Sequence, residues 1–223
     1  MTLQLYDHLM RFQLFQGLSR TELQQLAGNT KFGFQKESTG HILIKEGDAC
    51  KQLLFLIGGS LSLTTRSADG GYRLTEQVNA PWLLQPEALF GAHPHFTCSC
   101  RTTSDCHFIT LSKDEVLRLL DDFLIIRLNL LNLFSTLAQK RALHHWRRAP
   151  QSLRERFIRF LIDHSTYPAG PKELYILMTR LADELGDGRL DISRMLNQLQ
   201  AEGMLVLHRG RISIPSVHSI LNH

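Results

Sequence analysis

Cysteine is scarce in this chain: only Cys50, Cys98, Cys100 and Cys106 are present, and none stands in the first quarter-turn of the sequence before Cys50. Four thiols in 223 residues, with no recognisable secretion signal, point to free cysteines in a reducing compartment rather than to a disulfide framework. The opening MTLQLYDHLM places Asp7 and His8 where a signal peptide would carry its apolar core. Long apolar runs are also missing. The richest, Phe123 to Phe134, is too short for a membrane span and is interrupted by Arg127, Asn129 and Asn132. A cytoplasmic chain with no membrane partner is therefore expected. Charge is close to balanced, with a formal net charge of +4 and a pI near 9.0, which is compatible with nucleic acid without demanding it.

Catalytic constellations are absent too. No Ser-His-Asp or paired-carboxylate arrangement stands out. His93-x-His95 invites comparison with a cupin-type metal site, which needs a glutamate and a further histidine downstream. Here Phe96-Thr97-Cys98-Ser99-Cys100 follows instead. An enzyme is not expected. Cys98, Cys100 and Cys106 cluster beside the two histidines, which raises a redox or metal sensor. Cys98 and Cys100, two apart on a strand, share a face. A two-residue turn at Ser104-Asp105 would pair Cys106 with Thr103 and point it the other way. Buried structural thiols are the expected reading. Spacing leaves open a haem held by a histidine or cysteine.

What is present is concentrated between Met178 and Val206. Thr179 is placed as an N-cap, with Leu181, Ala182 and Leu185 on one face of a short helix. Gly186-Asp187-Gly188 breaks that helix. A second helix is expected from about Arg189 to Glu202, ended by Gly203. Ile192, Met195, Leu196 and Leu199 form its apolar stripe, whereas Arg189, Leu190, Ser193, Arg194 and Asn197 fall on the opposite side. Arginine can bridge guanine O6 and N7, and asparagine adenine N6 and N7, so this face suits the DNA major groove. An ordinary solvated face would look similar, and the residues that follow decide between the two. Leu205-Val206-Leu207 and Arg211-Ile212-Ser213-Ile214 read as two strands around an Arg209-Gly210 turn. Two helices followed by a basic-tipped hairpin make a winged helix.

The N-terminal half reads as short strands separated by glycine turns. They are His41–Lys45, Gln52–Ile57, Ser60–Thr65, Tyr72–Val78, and a hairpin of Phe96–Thr103 with Cys106–Leu111. This pattern suggests a β-roll or barrel, preceded by a short helix from the capping box Ser19-Arg20-Thr21-Glu22. A second capping box is expected at Ser112–Glu115. A long helix then runs from about Phe123 to Arg147. Ile126, Leu130, Leu133 and Leu137 make a coiled-coil seam along it, with a second stripe of Leu124, Leu128 and Leu131. A helix apolar on two sides must bury both, one on its own domain and one on a partner copy. Pro150 marks a hinge, after which Ser152 caps the next helix.

The segment LADELGDGRLDISRMLNQLQAEGMLV resembles the helix–turn–helix signature of the Crp/Fnr family of bacterial transcription regulators. Gly40, Gly47, Gly59 and Gly70 fall where that family's β-roll has its turns. The resemblance implies an α+β protein in three parts. Residues 1–121 would form a cyclic-nucleotide-binding-like β-roll (a double-stranded β-helix). Residues 122–149 would form a dimerisation helix and hinge, and residues 150–223 a winged helix–turn–helix that binds double-stranded DNA. It implies a homodimer joined at Ile126, Leu130, Leu133 and Leu137, with RNA polymerase as a further partner. Arg189 and Arg194 match base-contacting positions, Leu190 stands where many members carry glutamate, and Thr179 and Arg180 match a phosphate-contacting pair. His208, Arg209 and Arg211 would add backbone contacts from the wing.

The same resemblance places an effector pocket at Glu87, Ala88, Leu89, Thr97 and Cys98. Family members that bind a cyclic nucleotide use a Gly-Glu-Leu cassette and a later arginine to hold ribose and phosphate. Here Pro86 replaces the glycine and removes an amide donor, and Thr97 stands at the arginine position. Arg101 reaches that position only if the alignment shifts. Burying a phosphate without a cation is costly. Cyclic AMP is therefore not expected to bind, and the effector is unknown. The alternatives are a haem- or redox-sensing regulator of the same type, and a cyclic-nucleotide-type interaction module that does not bind DNA.

Overall fold

The computed structural model describes residues 2–144, 148–166, 170–217 and 220. It is an α+β structure of two compact units. The first unit comprises Met1–Leu61, Asn79–Thr97 and Arg101–Trp146, and the second comprises Ser62–Val78, Cys98–Cys100 and Arg147–His223. The second unit therefore includes a hairpin that comes from the middle of the N-terminal half.

In the first unit, α1 (Thr2–Leu9) and α2 (Arg20–Asn29) precede the strands. The Ser19 hydroxyl accepts from the Glu22 amide while the Glu22 carboxylate accepts from the Ser19 amide, so α2 starts from the complete capping box expected. The strands of the N-terminal half are β1 (Gly33–Glu37), β2 (Ile42–Ile44), β3 (Gln52–Gly58), β4 (Ser60–Arg66), β5 (Tyr72–Asn79), β6 (Trp82–Leu84), β7 (Ser99–Thr102) and β8 (Cys106–Ser112), of which Ser62–Val78 and Cys98–Cys100 belong to the second unit. One antiparallel sheet of this β-roll has the order β1-β8-β3-β6. Its β3 and β8 are rich in leucine, isoleucine and phenylalanine, as strands buried on both faces require. Phe12 and Phe15 pack their rings on Phe55 at 5.0 and 5.5 Å between centroids.

The expected hairpin of Phe96–Thr103 with Cys106–Leu111 does not form. β8 pairs with β1 and β3, so Cys106 stands opposite Glu37 rather than Thr103. The turn residues are drawn elsewhere: Ser104 Oγ accepts from the Ser60 amide, and Asp105 Oδ1 from the Thr39 amide. These bonds turn the chain from one part of the roll to another instead of folding it back on itself.

Two helices close the first unit. α3 (Lys113–Asp122) is capped by Ser112, which accepts from the Glu115 amide. Only half of that capping box forms, because the buried Glu115 carboxylate instead accepts from the Lys31 amide and pairs with Arg118. α4 runs from Leu124 to His144, and Arg147, the expected end, lies outside the described residues.

In the second unit, α5 (Leu153–His164) starts at the Ser152 cap. It is followed by β9 (Lys172–Ile176), α6 (Met178–Leu185), α7 (Arg189–Ala201), β10 (Val206–His208) and β11 (Arg211–Ile214). The strands lie in the order β10-β11-β9-β5-β4. The β9 strand, unremarked in the sequence, is where the hairpin of β4 and β5 attaches. Pairs run from Tyr72↔Ile176 to Glu76↔Lys172. One core unites the apolar faces of α5, α6 and α7 with Leu74, Leu174, Ile212 and Ile214 from the sheet. Among the described residues no helix is long and apolar enough to cross a membrane.

Candidate nucleic-acid interface

α6 and α7 are held as a pair by the turn between them. Gly186 takes φ +63°, a left-handed conformation that glycine adopts without a Cβ penalty, and its amide bonds back to α6. Asp187 follows and is bonded to Arg156 of α5, while its other oxygen accepts from the Gly188 amide at 2.7 Å. Arg156 is a positioning residue that sequence reasoning missed, since nothing local distinguishes it from the other arginines of α5.

Thr179 does not cap α6. β9 ends at Ile176, Leu177 takes the extended N-cap conformation without a side-chain bond, and Met178 is already helical. The Thr179 hydroxyl therefore sits inside the first turn, exposed, rather than beyond the free amides. Arg180 is half-buried. Its guanidinium meets the Asp69 carboxylate at 2.8 Å and the Glu184 carboxylate at 2.6 Å.

On α7 the expected division holds. Ile192, Met195, Leu196 and Leu199 are buried, whereas Arg189, Leu190, Arg194 and Asn197 are exposed and Ser193 is partly so. Leu190 is 72 % exposed. Arg194 reaches Asp191 at 3.2 Å, one turn away and in solvent, a pairing worth little. Asn197 lies 3.4 Å from the Ser193 hydroxyl, a weak contact that leaves both available. Gln200 then accepts from the Leu207 amide at 2.7 Å and ties the β10–β11 hairpin to α7. At the hairpin tip His208 and Arg209 are exposed around Gly210. Arg211, partly exposed, is engaged by Glu173 at 3.3 Å.

The residues expected to line an effector pocket fall in two segments, which Gln85 and Thr97 tie to each other. Gln85 precedes a short 3-10 turn, Pro86–Ala88, and takes φ +34°. Its side-chain oxygen accepts from both the Thr97 amide at 2.7 Å and the Thr97 hydroxyl at 2.8 Å. Thr97 is exposed, whereas Ala88, Leu89 and Cys98 are buried. Arg101 is the residue that a shifted alignment would bring to the arginine position. It is exposed and donates to the Gly40 carbonyl at 3.0 Å. Glu87 alone of the expected set lines a cleft of about 270 Å3, with Phe90, Phe134, Leu137 and Arg141.

The four cysteines are buried thiols outside any disulfide, and burial pushes the Cys50 thiol up, away from the reactive thiolate. His93 and His95 are exposed. Among the described residues no three His, Cys, Asp or Glu side chains are grouped to hold a metal ion.

Of the four residues expected at a dimer interface, Ile126 and Leu130 are only 1 % and 5 % exposed and pack inside their own unit. Leu133 and Leu137 are half-buried. The open stripe of α4 is the other one, Leu124, Leu128 and Leu131, at 64 %, 46 % and 55 % exposed. The 3.6-residue period fixed two stripes but not which one faces inward. Asn129 helps decide it by donating to the Leu14 and Gln16 carbonyls of the N-terminal segment.

Residues 35–123 match the model of the cyclic nucleotide-binding domain family. The fold of the chain is similar to that of the catabolite activator protein of Thermus thermophilus, with a TM-score of 0.54 and 20 % identity over 95 % of this chain and 97 % of that one. The sensor domain of the transcriptional regulator DNR from Pseudomonas aeruginosa aligns with a TM-score of 0.54 and 20 % identity, over 63 % of this chain and 93 % of that one. No curated protein matches in sequence. The resemblance to Crp/Fnr regulators carried by the sequence is thus matched by a likeness of fold.

Proposed function

We propose that this chain is a sequence-specific DNA-binding transcription regulator of the Crp/Fnr type, working as a homodimer with an effector other than cyclic AMP or with none. The observation that carries this reading is the outer face of α7. Arg189, Leu190, Arg194 and Asn197 all point to solvent from a helix seated by a tight turn and followed by a hairpin with Arg209 at its tip. This arrangement supports the reading of a winged helix–turn–helix, in which α7 is the helix that enters the major groove. Arg189 and Arg194 read bases. Ser193 and Asn197 add hydrogen bonds. Thr179, Arg180, His208, Arg209 and Arg211 meet phosphates and fix the register.

In this reading residues 1–121 are the effector-type region, 122–149 the dimerisation helix and hinge, and 150–223 the DNA-reading region. The exposed Leu124, Leu128 and Leu131 supply the centre of the dimer seam, extended by Leu133 and Leu137. Two copies of α7 then address two half-sites about one helical turn apart. RNA polymerase is the expected protein partner of such a regulator bound at a promoter. The absence of a cyclic AMP effector is supported by Gln85. Its amide oxygen takes the Thr97 donors that a phosphate would need, and the Arg101 guanidinium is engaged by the Gly40 carbonyl.

The test is selection of bound duplexes from a randomised double-stranded DNA pool by the purified protein. A two-fold symmetric motif is expected to emerge. An unenriched pool, at low salt as well as at physiological salt, would sink the reading in favour of an interaction module that does not bind DNA.

A further inference from the structure

The hairpin of β4 and β5 lies against the DNA-reading elements in a way that the proposed function does not use. Asp69, at its tip, holds Arg180 of α6 at 2.8 Å. Glu184 takes the same guanidinium nitrogen at 2.6 Å, and the guanidinium lies over the Tyr72 ring, 5.9 Å from its centroid. Two carboxylates on one guanidinium leave this corner net negative. Asp69 is kept ionised, since the Ser67 hydroxyl and the Gly71 amide donate to it and Arg180 stands beside it, all holding its carboxyl below the usual range. Gly71 matters for the approach. A Cβ there would lie 3.2 Å from Arg180 Nε, tighter than side chains ordinarily pack.

The hairpin is fastened to the rest of the unit in two ways. At its base the buried Lys172 ammonium and Glu76 carboxylate face each other at 3.4 Å, and Glu76 also accepts from the Thr166 amide at 2.8 Å. Toward its tip the contacts are polar and nearer to solvent: Tyr72 Oη with His164 Nε2 at 2.8 Å, the Arg73 guanidinium over the Tyr175 ring at 4.2 Å, and Asp69 with Arg180. The base is pinned by buried charge, whereas the tip is held by contacts that water or phosphate can replace.

Resting on the reading of Arg180 as a phosphate contact, we propose that the Ser62–Val78 hairpin is an autoinhibitory clamp. Its Asp69 occupies the guanidinium that DNA phosphate requires, and β5 zipped to β9 keeps it there. DNA binding then requires the tip to peel away while the Glu76–Lys172 base stays paired. Because β4 continues from the β-roll, a change in the roll has a covalent route to the clamp.

The experiment uses the full-length chain and a duplex selected by the wild-type protein. Arg73 and Tyr175 are directly opposed on β5 and β9. Cysteines placed there as R73C and Y175C fall within disulfide reach, because opposed residues of antiparallel strands lie about 4.5–5.5 Å apart at Cα. The oxidised double variant is expected to bind the duplex at least tenfold more weakly than the same protein after reduction, with wild-type affinity indifferent to the reductant. D69N keeps an oxygen for the Ser67 and Gly71 bonds but removes the charge. It is expected to bind about two- to fivefold more tightly than wild type, the worth of one exposed ion pair. Equal affinity of the oxidised and reduced forms, or of D69N and wild type, overturns the clamp and leaves the DNA-reading role standing. A wild-type protein that selects no duplex overturns both.

Discussion

Gln85 Oε1 accepts hydrogen bonds from both the backbone amide and the hydroxyl of Thr97, at 2.7 and 2.8 Å. The chain's own amide oxygen thus sits where an anionic ligand would need to draw on those donors. A cyclic phosphate drawing on Thr97 would have to displace Gln85 from both donors. Calorimetric titration with cyclic AMP is expected to give no saturable heat in the micromolar range. Saturable heat there would mean that other donors hold the phosphate and that the pocket is misread.

The buried Glu76–Lys172 pair sets a second expectation. Lys172→Met leaves Glu76 buried without its cation, at an expected cost of about 3–5 kcal/mol. Adding Glu76→Leu is expected to recover most of that loss, although the Thr166 amide loses its acceptor. Urea unfolding of the two variants measures both, and a single variant within about 1 kcal/mol of wild type contradicts the expectation.

The same pair has a pH signature. Burial lowers the Lys172 ammonium from its ordinary 10.5, and the Glu76 charge opposes this only in part. The folded chain therefore releases this proton at a lower pH than the unfolded chain does. Between the lowered value and 10.5, raising the pH favours the folded state, so this group's contribution to stability climbs with pH there. Below that window both states hold the proton and the slope vanishes. In Lys172→Met the alkaline slope should be lost. An unchanged slope assigns it to other groups.

Leu190 is an apolar side chain 72 % exposed among polar neighbours on α7, and the thymine 5-methyl group is what leucine can touch in the major groove. In the selected duplex, replacing one thymine of one half-site by deoxyuridine is expected to weaken wild-type binding by about three- to fivefold, the worth of one buried methyl. Leu190→Ala should be indifferent to that replacement. Equal response of both proteins at every thymine removes Leu190 from base reading.

Helix α4 separates core from interface. Ile126→Ala should cost about 2–5 kcal/mol of stability, because that side chain is buried in its own unit. Leu128→Glu should leave the fold intact and yield monomers, as light scattering would read. A stable dimer of the Leu128→Glu variant would place the seam elsewhere.

Much of this architecture was legible locally. The glycine turns, the Ser19 and Ser152 caps and the two faces of α7 follow from spacing within a few residues. Contacts between distant segments were not legible. β5 finds its partner in β9, and only that pairing buries Glu76 and Lys172 together, two charges that in sequence read as ordinary surface residues. The Ser104-Asp105 turn has the composition of a hairpin turn, which points β8 to its sequence neighbour. The side chains of that turn instead bond to Ser60 and Thr39. Thr179 looked like a cap because the end of β9, which sets where α6 begins, was not visible.

The most direct test of the account compares affinity for the selected duplex with affinity for a scrambled duplex of equal length, at one fixed physiological salt concentration. A ratio of at least about 10³, the lower end for specific regulators, is expected for the wild-type protein, falling sharply in Arg189→Ala. Arg209→Ala, by contrast, should weaken both duplexes alike. A wild-type ratio near one would contradict sequence-specific reading by α7.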